Sequence, residues 1–185
     1  MLSNAGVRRT DGVEFDGYVR PADGLTFSLA MTYLDSVYES FVGSPLGDLS
    51  GREVTGIPEL SAVFGVQYEK EVNDSGDKLI GRADFSYQQD VQVIEGLPAF
   101  IDVINGQRDF TRARAAARPY RREVNDLNAS LTYAFDMGLE LSVWGRNLLD
   151  DRDITTIFDS VAQDESISGY PNQPRTYGIS ARYKF

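Results

Sequence analysis

Apolar and polar residues trade places with a period of two in segment after segment of this chain. Val13, Phe15, Gly17 and Val19 alternate with Glu14, Asp16 and Tyr18. Leu25, Phe27, Leu29, Met31 and Tyr33 do the same with Thr26, Ser28, Ala30 and Thr32. The pattern returns at Leu60–Tyr68, at Leu79–Tyr87 (with Ile80 the one miss), at Leu127–Phe135 and at Leu139–Val143, where Trp144 breaks the rule. The last segment, Thr176 to Phe185, sets Tyr177, Ile179, Ala181, Tyr183 and Phe185 against Thr176, Gly178, Ser180, Arg182 and Lys184. Successive side chains of a strand point to opposite faces, so this periodicity predicts about seven strands, each with one apolar and one polar face.

The connections carry a second pattern. Backwards from Phe185 they are Asp151–Pro174 (long), Asp136–Gly138 (very short), Gly96–Pro119 (long), Glu71–Asp77 (short), Phe41–Arg52 (long) and Pro21–Gly24 (short). In an antiparallel meander alternate connections share an end, so all short turns lie at one end and all long loops at the other. Transmembrane barrels have this asymmetry, with short periplasmic turns and longer extracellular loops. The expected fold is therefore all-β, an antiparallel transmembrane β-barrel meander, with the apolar face toward lipid. Tyr33 and Tyr87 are expected in the outer aromatic belt, and Tyr68, Tyr133 and Phe135 in the inner one.

Composition narrows the function. The 185 residues suit one domain, and the absence of both Cys and His removes disulfides, thiolate metal sites and the commonest general base. Ser-His-Asp and Cys-His arrangements are impossible, phosphate-cradling glycine motifs are missing, and the carboxylates Glu14 and Asp16 are better explained as wall residues, so no enzyme and no cofactor are expected. A net charge of −10 argues against nucleic acid as a partner. No apolar run reaches the roughly 18 residues of a spanning helix, and a barrel keeps a low mean hydropathy (−0.31 here) because only alternate residues face lipid. The N-terminal stretch MLSNAGVRRT has no signal-peptide character, which an outer-membrane protein needs, so the true N-terminus is expected to lie elsewhere.

At the C-terminal third the residues become family-specific. Leu139-Glu-Leu-Ser-Val-Trp-Gly-Arg-Asn-Leu-Leu-Asp150 is followed, after a long loop, by Gln173-Pro-Arg-Thr-Tyr-Gly-Ile-Ser-Ala-Arg-Tyr-Lys-Phe185. The Asn147-Leu148-x-Asp150 element, then Pro174, Arg175, Thr176, Tyr177 and Gly178 opening an alternating last strand, resemble the end of a TonB-dependent outer-membrane receptor. Gly12-Val-Glu-Phe, Pro21-Ala-Asp-Gly-Leu-Thr and Thr32-Tyr-Leu-Asp35 are similar to that family's late barrel strands. The resemblance covers nearly the whole chain. It implies that residues 1–185 are the last seven or so strands of a barrel of about 22 around a plug domain. The plug, the TonB-contacting box and the upstream strands would be absent, and Met1 would be an internal or truncated start. An open sheet of seven strands would leave backbone groups unpaired in lipid, which points the same way.

The function so implied, for the full-length protein, is uptake of a scarce ligand (ferric siderophore, vitamin or glycan) across the bacterial outer membrane. Outer-membrane lipid and lipopolysaccharide are expected partners, and the TonB system is reached only through the missing N-terminal region. A passive porin-like channel and a soluble lipocalin-like barrel, apolar inside and polar outside, are the alternatives. By the same resemblance Tyr177, Ile179, Ala181, Tyr183 and Phe185 form the signal for the barrel-assembly machinery. Arg108, Arg112, Arg114 and Arg118, with Arg121 and Arg122, stand out in an acidic chain. The alanines of Thr111–Arg118 favour a short helix ended by Pro119, and its arginines could bind an anionic ligand or a lipopolysaccharide phosphate. Asp150, Asp151, Asp153, Asp159, Asp164 and Glu165 lack the glycine-anchored spacing of a calcium loop, so a solvated loop paired with the arginines is expected instead of a metal. Glu14, Asp16, Arg82, Asp84, Arg182 and Lys184 would line the lumen and could contact a plug.

Overall fold

A computed structural model describes residues 6–159 and 166–185 of the chain. Seven strands form one antiparallel sheet: β1 (Val7–Ala22), β2 (Leu25–Ser40), β3 (Leu60–Glu71), β4 (Lys78–Gln92), and then, beyond the strands of the intervening loop, β7 (Arg121–Ala134), β8 (Leu139–Arg146) and β11 (Thr176–Tyr183). Spatial order follows chain order with no crossover, so the sheet is a meander. Two loops add small hairpins, β5 (Asp102–Ile104) with β6 (Gln107–Asp109), and β9 (Ile154–Asp159) with β10 (Ile167–Pro171). A short helix, α1 (Thr111–Ala117), precedes β7.

Register explains why the alternation is so clean. Residues paired across strands share a face. One rung runs Val19, Phe27, Val66, Ala83, Ala129, Gly145, Tyr177 across all seven strands. A polar rung runs Thr26, Gln67, Arg82, Ser130, Trp144, Gly178 across the last six. A one-residue slip anywhere would put the wrong face outward along a whole strand.

Trp144 therefore does not end its strand. It continues β8 with its ring on the polar face, opposite Gly178, and a Cβ added at Gly178 would lie 2.7 Å from Trp144 Cζ2. The glycine makes the room that the indole fills. Short turns close the other end. Asp23 and Gly24 form a two-residue turn between β1 and β2, with Gly24 at φ +73° and its Cα hydrogens against the carbonyl of Glu69. Glycine adopts that left-handed conformation without steric cost.

The sheet has no core of its own. Val13, Phe15, Val19, Tyr177 and Ile179 are exposed on the apolar face, Ile179 at 83%. Leaving such side chains in water forgoes roughly 1.5–3 kcal/mol each, so this face is built for an apolar surrounding. The buried hydrophobics among the described residues are Leu46, Leu49, Val54, Val91, Leu97, Ala113, Ala117 and Ile157, all in or beside the three long connections.

Candidate functional site

The long connections fold against one another. Leu97, Ala117 and Ile157 form a small core, with Ile94, Phe100, Ala116, Tyr120 and Ile167 packed around it. It joins the β4–β7 connection to the β8–β11 connection. The β2–β3 connection is added by Leu46, whose side chain sits against Gly96. Arg114 completes the join, donating from Nη2 to the carbonyls of Leu46 (2.9 Å) and Asp48 (3.3 Å).

Helix α1 lies where the alanine-rich run predicts it, with Arg118 as its C-cap and Pro119 beyond. Its N-cap, Phe110, has no capping side chain; Asp109 Oδ1 instead accepts the Thr111 backbone N–H at 2.7 Å. The Thr111 hydroxyl and N–H hold the Asp109 carboxyl below the usual carboxylate range. Asp48 is held low in the same way by Ser50.

Of the predicted arginines, Arg122 lies apart, beside Asp126 and Asp153 at the base of the β8–β11 connection, and the other five form two groups. Arg114 and Arg118 meet Arg121 and Arg52 around a cleft of about 570 Å³ that also carries Glu53, Glu59, Asp90 and Glu95. Arg121 is paired with Asp90 there. Arg108 lies over the Phe110 ring at 5.3 Å, and Arg112 over Phe100 at 5.2 Å with Asp102 at 3.4 Å. Arg52 was not singled out in the sequence, because its neighbours in the cleft come from distant loops.

Of the described acidic residues, Asp153 feels the charge of Arg122, while Asp150 and Asp151 find partners elsewhere. Asp150 pairs with Arg152 (3.2 Å) and Arg175 (3.9 Å) of its own loop. Asp151 accepts the backbone N–H of Asn125 at 2.7 Å. Asp164 and Glu165 lie outside the described residues, as does the side chain of Asp159. No grouping able to hold a metal occurs among the described residues.

Asp153 is half-buried, and its carboxyl is pushed up by burial and by the charge and hydrogen bond of Asp151, against smaller opposite pulls from the Glu123 backbone and the charge of Arg122. A raised folded pKa contributes stability that is present in acid and lost as pH rises through it. Asp153→Asn should therefore slow hydrogen exchange at the loop base at pH 7. The benefit should fade as pH falls toward the ordinary Asp value of about 3.9. Equal exchange of the two proteins at pH 7 would count against this.

The family-specific residues turn out to be a structural knot. Asn147, only 6% exposed and at φ +47°, ends β8. Its Nδ2 donates to the carbonyls of Asp151 (2.8 Å) and Gln173 (2.9 Å), and its Oδ1 accepts from Asp151 N–H (2.9 Å). Its own N–H donates to Asn128 Oδ1 at 3.1 Å. Asn172 mirrors it, donating to Asp151 O and accepting from Asp153 N–H. One side chain thus ties the end of β8 to the residues that open β11.

Tyr177, Ile179, Ala181, Tyr183 and Phe185 all lie at the free edge of the sheet, with Tyr177, Ile179, Ala181 and Tyr183 on the apolar face of β11. On the other face Arg82 bonds Gln67, Asp84 bonds Asn128, and Arg182 and Lys184 both reach Glu140. Glu140 is thus paired with two cations, whereas Arg82 and Asp84 are held by neutral amides.

A coreless meander with one apolar face, short turns at one end and packed loops at the other defines a segment of an outer-membrane β-barrel. A model of the TonB dependent receptor-like β-barrel family matches residues 1–148, and the chain belongs to that family. Proteins of this family are transport receptors of the bacterial outer membrane. The fold is similar to the crystal structure of the ferric yersiniabactin uptake receptor FyuA from Yersinia pestis. The TM-score is 0.70 at 21% identity, over 100% of this chain and 25% of that one. The chain thus spans about a quarter of that receptor's length. No curated protein sequence matches it.

Proposed function

We propose that this chain is the C-terminal part, residues 1–185, of the barrel of an outer-membrane transporter that takes up a scarce ligand, a ferric siderophore, a vitamin or a glycan. The observation that carries the reading is the apolar face that none of the described elements covers, on a sheet whose family is a transport barrel. Energy would come from the TonB system through a plug and N-terminal region outside these residues. The polar face would line the lumen and meet that plug.

In the full-length receptor, Tyr177, Ile179, Ala181, Tyr183 and Phe185 would be read by the barrel-assembly machinery. Phe185→Ala should lower the folded, heat-modifiable receptor in the outer membrane severalfold, and normal assembly would count against the assignment. Arg108, Arg112, Arg114 and Arg118 are the proposed contacts to an anionic ligand or to lipopolysaccharide phosphate, with Arg118 the freest of them. The reading as a whole is tested in a planar bilayer and by fractionation. A plugged receptor stays with the membrane and gives no steady conductance. A large ohmic conductance would favour a passive channel, and recovery from the aqueous phase without detergent would defeat the membrane assignment.

A further inference from the structure

A groove of about 440 Å³ crosses the apolar face, walled by Leu79, Leu131, Tyr133, Leu141, Val143 and Ile179. It lies low on the wall, since Leu79 is the second residue of β4 and Tyr133 the last but one of β7, each beside a short turn. Register accounts for the hollow. Leu79, Tyr133, Leu141 and Ala181 form one rung, and Gly81, Leu131, Val143 and Ile179 form the next. Beyond them Ala83, Ala129 and Gly145 leave the surface without bulk, before Phe85 and Leu127 restore it. An apolar hollow on a face built for an apolar surrounding suits a hydrocarbon chain.

The foot of the groove is charged. Tyr133 donates its hydroxyl to Asp77 Oδ2 at 2.9 Å, Asn73 donates to the same oxygen at 2.9 Å, and the backbone N–H of Asp136 donates to Asp77 Oδ1 at 2.9 Å. These donors hold the Asp77 carboxyl below the usual carboxylate range, so it stays ionised. They also join the β3–β4 turn, which carries Asp74, to the β7–β8 turn, which carries Asp136. None of these three carboxylates has an ion pair among the described residues. Lys70 stands opposite Leu79 on the same face and is equally unpaired, whereas Lys78 is bound by Glu69 and Lys184 by Glu140. One cation and three carboxylates therefore rim the groove where it reaches the short turns. A phospholipid headgroup that ends in an ammonium matches this rim, with its phosphate toward Lys70 and its ammonium toward the carboxylates. An anionic headgroup would face the same three carboxylates with nothing to offer them.

We propose that the groove seats one phospholipid of the periplasmic leaflet, with an acyl chain in the hollow and an ammonium headgroup of the phosphatidylethanolamine type on the rim. The inference rests on the outer-membrane reading above, which sets the short turns on the periplasmic side. Ile179 belongs to the free edge of the sheet, so the sample is the full-length receptor. The test is native mass spectrometry of that receptor in a nonionic detergent, titrated with phosphatidylethanolamine and with phosphatidylglycerol of identical acyl chains.

One phosphatidylethanolamine should be retained about tenfold better than phosphatidylglycerol, the fold-change for one charged hydrogen bond. Asp74→Asn combined with Asp136→Asn should bring the ratio down severalfold; both residues are exposed, so the variant should assemble normally. Val143→Trp fills the groove from the lipid side and should lose the retained lipid while the receptor keeps its heat-modifiable mobility. The proposal is overturned if phosphatidylglycerol is held as well as phosphatidylethanolamine, if the double variant keeps the full ratio, or if Val143→Trp retains the lipid as wild type does. The two readings fail differently. A receptor that assembles in the outer membrane and holds no lipid would sink the groove and leave the transporter, whereas a receptor recovered from the aqueous phase without detergent would sink the membrane reading itself.

Discussion

Asn147→Ala in the full-length receptor is expected to cost about 3 kcal/mol of stability. The substitution strips two donors and one acceptor from a residue that is 6% exposed, leaving the carbonyls of Asp151 and Gln173 and the N–H of Asp151 without their partner. Each buried group so orphaned costs about 1–3 kcal/mol, less where water can enter. The backbone adds to this, because φ at Asn147 is +47° and alanine resists the left-handed region by roughly 1–2 kcal/mol where asparagine does not. The measurement is the urea midpoint of the receptor refolded in detergent, followed by its heat-modifiable mobility. Asn147→Asp keeps the acceptor and tolerates the backbone but sets a buried carboxylate oxygen against the carbonyls of Asp151 and Gln173, so it should be no more stable than alanine. A midpoint for Asn147→Ala equal to that of wild type would remove Asn147 from its place at the centre of the knot.

Leu97→Asp should have an effect of similar size, about 4 kcal/mol, but in a different part of the molecule. Leu97 is fully buried with Ala117 and Ile157, in a core whose described side chains are apolar apart from Tyr120. The loss falls on the loop body and not on the sheet, since no buried residue of that core belongs to the apolar band. Protease added to intact cells should then cut the β4–β7 and β8–β11 connections of the variant while the wild type resists. The barrel should still migrate as a folded species. If the loops stay resistant, the three connections are not one body; if the barrel also fails to fold, the separation between loop core and sheet is wrong.

What could be read in advance, and what could not, follows from how far apart the deciding residues are. The strands were legible because lipid and water impose opposite demands on neighbouring side chains, so the period is written into adjacent residues. The helix Thr111–Ala117 was legible for the same local reason, its alanines and the proline that follows. Trp144 reads as a break in the alternation because it is a large apolar ring at a polar position. Its tolerance on the polar face depends on Gly178, which lies on the neighbouring strand and is invisible to any local window.

The arginine run was visible as charge. Its division was not, because the carbonyls that hold Arg114 belong to Leu46 and Asp48 of another loop. The Asn147-Leu-x-Asp element was recognisable as a motif without revealing its work, which lies in bonds to Asp151 and Gln173 across the base of a loop. The hairpin of β9 and β10 had no alternating signal strong enough to find.

The position of the buried residues bears on how such a sheet could avoid assembling wrongly. A bilayer can reject a strand shifted by one residue, because the shift reverses its faces. It is blind to a shift of two, which restores the apolar face while sliding the strand by about 7 Å. The loop core is not blind to it. Leu46, Leu97, Ala113, Ala117 and Ile157 come from connections that leave β2, β4 and β8, and they meet only when those strands are aligned as observed. The packed loops would thus act as proofreaders of strand alignment, closing tightly over the correct pairing and staying loose over one that the membrane itself would accept.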